Sequence, residues 1–147
     1  MTSTAHAIIG TLIAAKFQNP ALAVSIALTS HIVADAIPHW DPATNIKKKG
    51  KEKAFFHCFL DVILSFTVSY LMLKLFFPQT NIVYGFFIVF ISQFFDWATA
   101  LYYFYRIKPF RIFYKFQKIF DTELDKPWGI VTQVVFVAIA IIFVLKI

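Results

Sequence analysis

Histidine and aspartate side chains are concentrated in the apolar parts of this 147-residue chain. All four histidines and four of the six aspartates lie within or at the edge of apolar segments. An ionisable side chain inside a membrane span costs about 2.5–3.5 kcal/mol, so it is tolerated where a partner compensates it. The eight residues are His6, His31, Asp35, His39, Asp41, His57, Asp61 and Asp96. Their number predicts a shared binding site.

The spacing of these residues favours metal binding. His31 and Asp35 are four residues apart, as are His57 and Asp61, so each pair projects from one helical face. Imidazole together with carboxylate suits a divalent transition metal, here zinc or manganese, and the set is large enough for one or two ions. The predicted ligands are His6, His31, Asp35, His39, Asp41, His57 and Asp61. Asp61 or Asp96 is the candidate general base of a hydrolytic reaction.

Each residue taken singly also has a structural explanation. His6 suits a helix start at the membrane interface, and His39 and Asp41 suit an ordinary loop. His57 and Asp61 are compatible with a neutral hydrogen-bonded pair. Asp96 follows Phe94 and Phe95 inside an apolar run and needs a partner from elsewhere. The predicted helices place all eight residues at a similar depth at one end of the bundle, and this favours a metal or proton site.

The elements that position these residues are helices in a membrane. The chain is 59% hydrophobic, above the roughly 45–50% of soluble domains, so we expect an all-α, polytopic membrane bundle forming a single domain over 1–147. Five membrane-embedded helices are predicted, the first two short, together with a polar loop at 39–53 and an amphipathic interfacial helix at 110–124. The five predicted helices span about 3–17, 20–37, 54–77, 82–105 and 128–146. The apolar face of the interfacial helix contains Phe110, Phe113, Phe116 or Gln117, and Phe120.

Charge predicts the orientation of this bundle. The net charge is +6, and eleven of the fourteen basic residues fall in 39–53 and 106–126, which alternation of the spans places on the side of the N-terminus. By the positive-inside tendency that side, with the His/Asp site, is cytoplasmic. The lysines then set the orientation of the protein in the membrane and attract anionic lipids. Membrane lipids are therefore the expected partners, and nucleic acid is not. Because Cys58 is the single cysteine, an intramolecular disulfide is excluded.

Two segments resemble a known family. The sequence T-A-H-A-I-I-G at 4–10 and L-T-S-H-I-V-A-D-A-I-P-H-W-D at 28–41 are similar to the N-terminal half of the membrane-bound metal-dependent hydrolases, also described as inner-membrane-associated putative hydrolases. The resemblance covers roughly the first 60 residues. It implies a bacterial inner-membrane protein whose metal ligands are His6, His31, Asp35, His39 and Asp41. His57 and Asp61 stand where a further histidine motif of H-R-G-x-T-H-S type is expected.

The sequence is compatible with three functions. The first is a metal-dependent hydrolase acting on a lipid or lipid-linked ester or phosphoester at the cytoplasmic membrane face. The second is a carrier or channel for metal ions or protons, but the helices beyond Ser69 and before Ser92 are almost wholly apolar, which favours a blind pocket. The third is a non-catalytic subunit of a membrane assembly with a structural His/Asp cluster. Assembly into a homo-oligomer is also left open.

Overall fold

The protein is built from helices. A computed structural model describes residues 1–146, and within that range the only β-type pairing is a single bridge between His39 and Glu123. The helices are α1 (Ser3–Lys16), α2 (Pro20–Ala36), α3 (Ile46–Lys49), α4 (Lys51–Leu75), α5 (Ile82–Ser92), α6 (Phe94–Tyr105), α7 (Arg111–Phe120) and α8 (Trp128–Lys146), with a short 3-10 turn at Lys108–Phe110. The all-α prediction is confirmed.

Membrane-spanning character is concentrated in part of the bundle. Among the described residues, α4 and α8 are each long and apolar enough to cross a membrane, and α5 with α6 counts as a third if the pair forms one bent span. Their outer faces carry half-exposed large side chains such as Phe59, Ile63, Ile139 and Phe143, which suit lipid. The predicted number of five membrane-embedded helices is not confirmed, because α1 and α2 have only 14 and 17 residues.

The helix predicted at 82–105 is broken. Helix α5 ends at Ser92, α6 starts at Phe94, and their axes differ by 54°. The Ser92 hydroxyl lies 2.8 Å from the carbonyl oxygen of Val89 and 3.0 Å from that of His6, and such bonding to a preceding turn bends helices. The continuous helix was therefore a wrong prediction. The break releases the Ser92 carbonyl oxygen from regular helical bonding.

Helix α1 lies at the centre of the bundle. It packs against α2, α4, α5 and α8, and most of its residues are buried. A Cβ atom added at Gly10 would lie 2.5 Å from Ser92 Oγ. Only glycine therefore allows the backbones of α1 and α5 to approach this closely.

The polar segments meet at one end of the bundle. The His39 amide donates to the Thr122 carbonyl at 3.0 Å, and the Leu124 amide donates to the His39 carbonyl at 2.7 Å. Residues 121–124 therefore form an extended segment, and α7 ends at Phe120. The predicted interfacial helix, 110–124, was too long at this end. The predicted loop 39–53 likewise contains the short helix α3, and α4 begins within it at Lys51.

Candidate metal centre

Three helices bring the first group of ligand-type side chains together. Helix α1 contributes His6, α2 contributes His31 and Asp35, and α6 contributes Asp96, with all four ligand atoms within 4.8 Å of one another. His6, His31 and Asp35 are fully buried, whereas Asp96 is 27% exposed. The rings of His6 and His31 stack at 3.9 Å with 9° between their planes. We call these four residues the helical group.

A backbone contact fixes the orientation of His31. Its Nδ1 lies 2.7 Å from the carbonyl oxygen of Ser92, which accepts only, so Nδ1 carries a proton and Nε2 is directed toward the carboxylates of the group. Nε2 lies 3.1 Å from Asp35 Oδ2 but is not aligned for a hydrogen bond. Metal-binding histidines commonly donate their other ring nitrogen to a carbonyl in this way. The carbonyl that orients His31 is the one released by the break between α5 and α6.

The distances within the helical group fit a divalent ion. His6 Nε2 lies 3.0 Å from Asp35 Oδ1 and 3.9 Å from Asp96 Oδ2, and His31 Nε2 lies 3.7 Å from Asp96 Oδ1. Donor atoms bound at 2.0–2.1 Å to a tetrahedral ion are about 3.4 Å apart. Within residues 1–146, Asp96 Oδ2 and His31 Nε2 are buried without a hydrogen bond. Two buried ligand atoms without a hydrogen bond, together with this spacing, suit a metal ion.

Gln117 of α7 holds the carboxylates of the helical group. Its Nε2 donates to Asp35 Oδ2 at 3.2 Å and to Asp96 Oδ1 at 3.0 Å, while its Oε1 accepts from the Thr99 hydroxyl. The sequence indicated Gln117 as a position on the apolar face of the interfacial helix and did not indicate a role at the site. The signal was available, because an amide on an otherwise aromatic face needs a buried partner.

A second group lies in the adjacent loops. His39 follows α2, Asp41 lies two residues later, and Asp121 follows α7, again with ligand atoms within 4.8 Å of one another. His39 Nε2 lies 3.4 Å from Asp121 Oδ1 and 4.0 Å from Asp41 Oδ2. Asp121 was not a predicted ligand. We call these three residues the loop group.

The surroundings of the loop group change its acid–base properties. Burial, followed by the negative charge of Asp35, raises the pKa of Asp121 to about 7. Burial, followed by the positive charge of the Met1 amine, lowers the pKa of His39. The Met1 nitrogen contacts Asp35 Oδ1 and lies 2.6 Å from His39 Nε2. The two groups are therefore electrostatically coupled through Asp35.

Two predicted ligands lie outside both groups. Asp61 accepts hydrogen bonds from the Ser3 amide at 2.6 Å and from the Thr4 hydroxyl at 2.6 Å, and so caps the start of α1. His57 is half-buried, with its ring 6.3 Å from that of Phe56. The structure thus brings His6, His31, Asp35 and Asp96 together, and His39 with Asp41, but leaves His57 and Asp61 separate.

Both groups border a cavity of about 1030 Å³. Asp96 lines it from the helical group, and Asp41 and Asp121 line it from the loop group. Its other walls are mainly apolar, and the exposed lysines Lys47, Lys48 and Lys118 also border it. The apolar lining includes Phe55, Phe59, Val62, Phe90, Trp97 and Phe104. A bound molecule in this cavity would have an apolar body close to the carboxylates.

Comparison of the chain with protein-family models, with curated proteins and with solved structures gives no match. Function is therefore inferred from the geometry of the site.

Proposed function

We propose that this protein is a membrane-embedded, metal-dependent hydrolase whose substrate is a lipid or lipid-linked ester or phosphoester. The observation that carries the proposal is the meeting of the helical group, whose four ligand atoms lie within 4.8 Å of one another, with His31 Nε2 and Asp96 Oδ2 buried and without a hydrogen bond among the described residues. A buried polar atom without a partner is costly, and a shared cation would satisfy both of these atoms. A metal ion is the cation that imidazole and carboxylate bind together.

Three residues of the helical group would hold the ion. His6, His31 and Asp35 give two nitrogens and a carboxylate, the donor set of many catalytic zinc sites, in which a fourth position stays open. A bound ion supplies Lewis acidity and lowers the pKa of water to about 7, which makes hydroxide available near neutral pH. Ser92 orients His31 and Gln117 orients Asp35, so the donors are held before the ion arrives.

Asp96 is the group that we assign to proton transfer. It is the member of the helical group that lines the cavity, and its Oδ2 has no hydrogen-bond partner among the described residues. Gln117 holds its other oxygen at 3.0 Å, which fixes the direction of the free one. Asp61 also lines the cavity, but both of its oxygens accept hydrogen bonds from the first turn of α1, so we assign it to stabilising that helix.

The cavity supports a lipid substrate. Its aromatic and aliphatic walls would hold an acyl or isoprenoid chain, and burying such a chain contributes about 0.8 kcal/mol per methylene group. Lys47, Lys48 and Lys118 would attract an anionic head group to the same end. With these lysines on the cytoplasmic side, the reaction would take place at the cytoplasmic membrane face. This assignment agrees with the family resemblance of the first 60 residues.

The decisive experiment uses the purified protein in lipid nanodiscs. Bound metal is measured by mass spectrometry, and hydrolysis is measured with fluorogenic lipid esters and lipid phosphoesters. We expect His31→Ala to lose metal and activity, Asp96→Asn to keep metal and lose activity, and His57→Ala, the matched control, to keep both. Wild-type protein without bound metal, or metal retained in His31→Ala, contradicts the proposal. Metal binding without hydrolysis of any substrate would favour a carrier instead.

A further inference from the structure

The loop group has the properties of a second ion site. We propose that His39, Asp41 and Asp121 bind a second divalent ion, that Asp35 bridges it to the first, and that the substrate is consequently a phosphoester. This inference rests on the proposed function for its first ion and extends it with a further site and a narrower substrate class.

Backbone hydrogen bonds build the loop group. The amide and carbonyl of His39 pair with Thr122 and Leu124, which holds the turn after α2 against the segment after α7. The Trp40 amide donates to the Gly129 carbonyl at 3.1 Å, and a Cβ atom at Gly129 would lie 2.7 Å from the Trp40 nitrogen. His39 and Asp121, distant in sequence, are therefore held together by ordered backbone.

The side chains of the loop group are oriented as metal ligands. His39 Nδ1 donates to the Ile37 carbonyl at 2.8 Å, which leaves Nε2 to face the carboxylates, as Ser92 does for His31. Asp41 Oδ1 accepts from the Thr44 amide at 2.6 Å and from the Thr44 hydroxyl at 3.1 Å. Its Oδ2 is the atom that faces His39.

Asp35 connects the two groups. Its Oδ1 lies 3.0 Å from His6 Nε2 and 3.8 Å from His39 Nε2, and its Oδ2 lies 3.1 Å from His31 Nε2. The Met1 nitrogen, a cationic group, occupies the position between Asp35 Oδ1 and His39 Nε2. A second ion would take that position, with the Met1 nitrogen moved aside. A carboxylate that faces donors of both groups is placed to bridge two ions about 3.5–4 Å apart.

The two groups differ in donor chemistry. The helical group supplies two imidazole nitrogens, whereas the loop group supplies one imidazole and is richer in carboxylate oxygen. Oxygen-rich sites favour manganese over zinc. Two ions beside one cavity would stabilise the attacking and leaving oxygens of an in-line displacement at phosphorus, so the pair favours a phosphoester over a carboxylic ester. The reaction adds water across the P–O bond, so that phosphorus gains the hydroxide oxygen and the departing alkoxide takes the proton.

Manganese is the probe that tests the second site, because its electron paramagnetic resonance spectrum reports coupling between neighbouring ions. Full-length protein in nanodiscs is loaded with Mn²⁺ and analysed for metal content and spectrum. We expect two ions per wild-type chain with an exchange-coupled signal. Asp121→Asn and, independently, Asp41→Asn should each retain one ion with an uncoupled six-line signal. Asp125→Asn is the control, because that exposed carboxylate bonds Asn45 outside the group, and it should retain two coupled ions.

The outcomes separate this inference from the proposed function. One ion in both wild type and Asp121→Asn overturns the second site and leaves the first intact. Two uncoupled ions in wild type overturn the bridge through Asp35. No ion in wild type overturns both proposals. If circular dichroism shows that Asp121→Asn does not fold, the ion count of Asp41→Asn and the wild-type spectrum test the second site instead. Turnover of lipid esters but not of lipid phosphoesters by the two-ion form overturns the substrate class.

Discussion

The sequence H-x-x-x-D occurs once in α2 and once in α4, with different results. In α2, His31 and Asp35 are fully buried and face His6 and Asp96 from two other helices. In α4, Asp61 turns to the first turn of α1, and His57 remains half-buried at the side of the helix. Identical spacing on a helix thus yields a candidate ion site in one place and a helix cap in the other.

The difference lies in what each pair faces. His31 meets the free carbonyl oxygen at the break between α5 and α6, and its Nε2 is directed toward Asp35 and Asp96. Asp61 meets the unbonded amides of Ser3 and Thr4, which satisfy its oxygens without any ion. Four-residue spacing makes two side chains neighbours, and the opposing element decides what they bind.

The largest expected effect comes from Asp35→Asn. The substitution removes a charged ligand from the helical group, so zinc affinity should fall at least about 100-fold, or ~2.7 kcal/mol. Loss of a residue that only orients a ligand usually costs about 10- to 100-fold. Isothermal titration calorimetry with the purified protein measures this. The matched variant Asp61→Asn should bind zinc as the wild type does. Equal losses in both variants would mean that the two pairs serve the same site.

The next effect is on folding. Asp61→Ala leaves the Ser3 and Thr4 amides without their charged acceptor, so the free energy of unfolding should fall by about 1–3 kcal/mol. Thermal unfolding in detergent, followed by circular dichroism, measures the lowered midpoint. Zinc content at low temperature should be unchanged. Loss of zinc from protein that remains folded would return Asp61 to the metal site.

A smaller effect is expected at Gln117, whose side-chain amide donates to the Asp35 carboxylate. Gln117→Met keeps the length of the side chain but removes the donor to Asp35 and Asp96, so zinc affinity should fall about 10-fold, or ~1.4 kcal/mol. Competition with a chelating dye resolves a change of this size. Gln133→Met serves as the control, because the Gln133 side chain accepts from the Thr2 amide at 3.3 Å and belongs to neither ligand group. Unaltered affinity in Gln117→Met would show that Asp35 needs no orientation from α7.

The smallest effect is expected at His57. His57→Ala removes a half-buried ring that contributes to neither ligand group, so the free energy of unfolding should change by less than about 1 kcal/mol. Zinc affinity should equal that of the wild type. Both quantities follow from the titration and unfolding experiments already described. A drop in zinc affinity near that of Asp35→Asn would place His57 at the ion.

The sequence predicted those features that depend on local signals. Asn19 before Pro20, and Asn81 after Pro78, predicted the turns at which α2 and α5 begin, and both asparagines cap their helices as acceptors. The burial cost of ionisable groups predicted the meeting of His6, His31, Asp35 and Asp96. These inferences need only neighbouring residues or the cost of placing charge in an apolar environment.

Features that depend on distant contacts were missed. The break at Gln93 carries no proline or glycine, and its bend accompanies a contact between Ser92 and the backbone of His6. Asp121 lies in a polar stretch, so a search of apolar segments passed over it. Its place beside His39 results from backbone pairing with the turn after α2. Gln117 likewise depends on how α7 docks, which periodicity alone does not determine.

The wide separation of the helical group along the chain has a consequence for biosynthesis. His6 leaves the ribosome long before Asp96 and Gln117, and at about 5–20 residues per second the delay lasts several seconds. During that interval His6 lacks these later neighbours. Under the proposed function, the ion would be loaded only after insertion of α6 and docking of α7, as one of the last steps in the maturation of the protein.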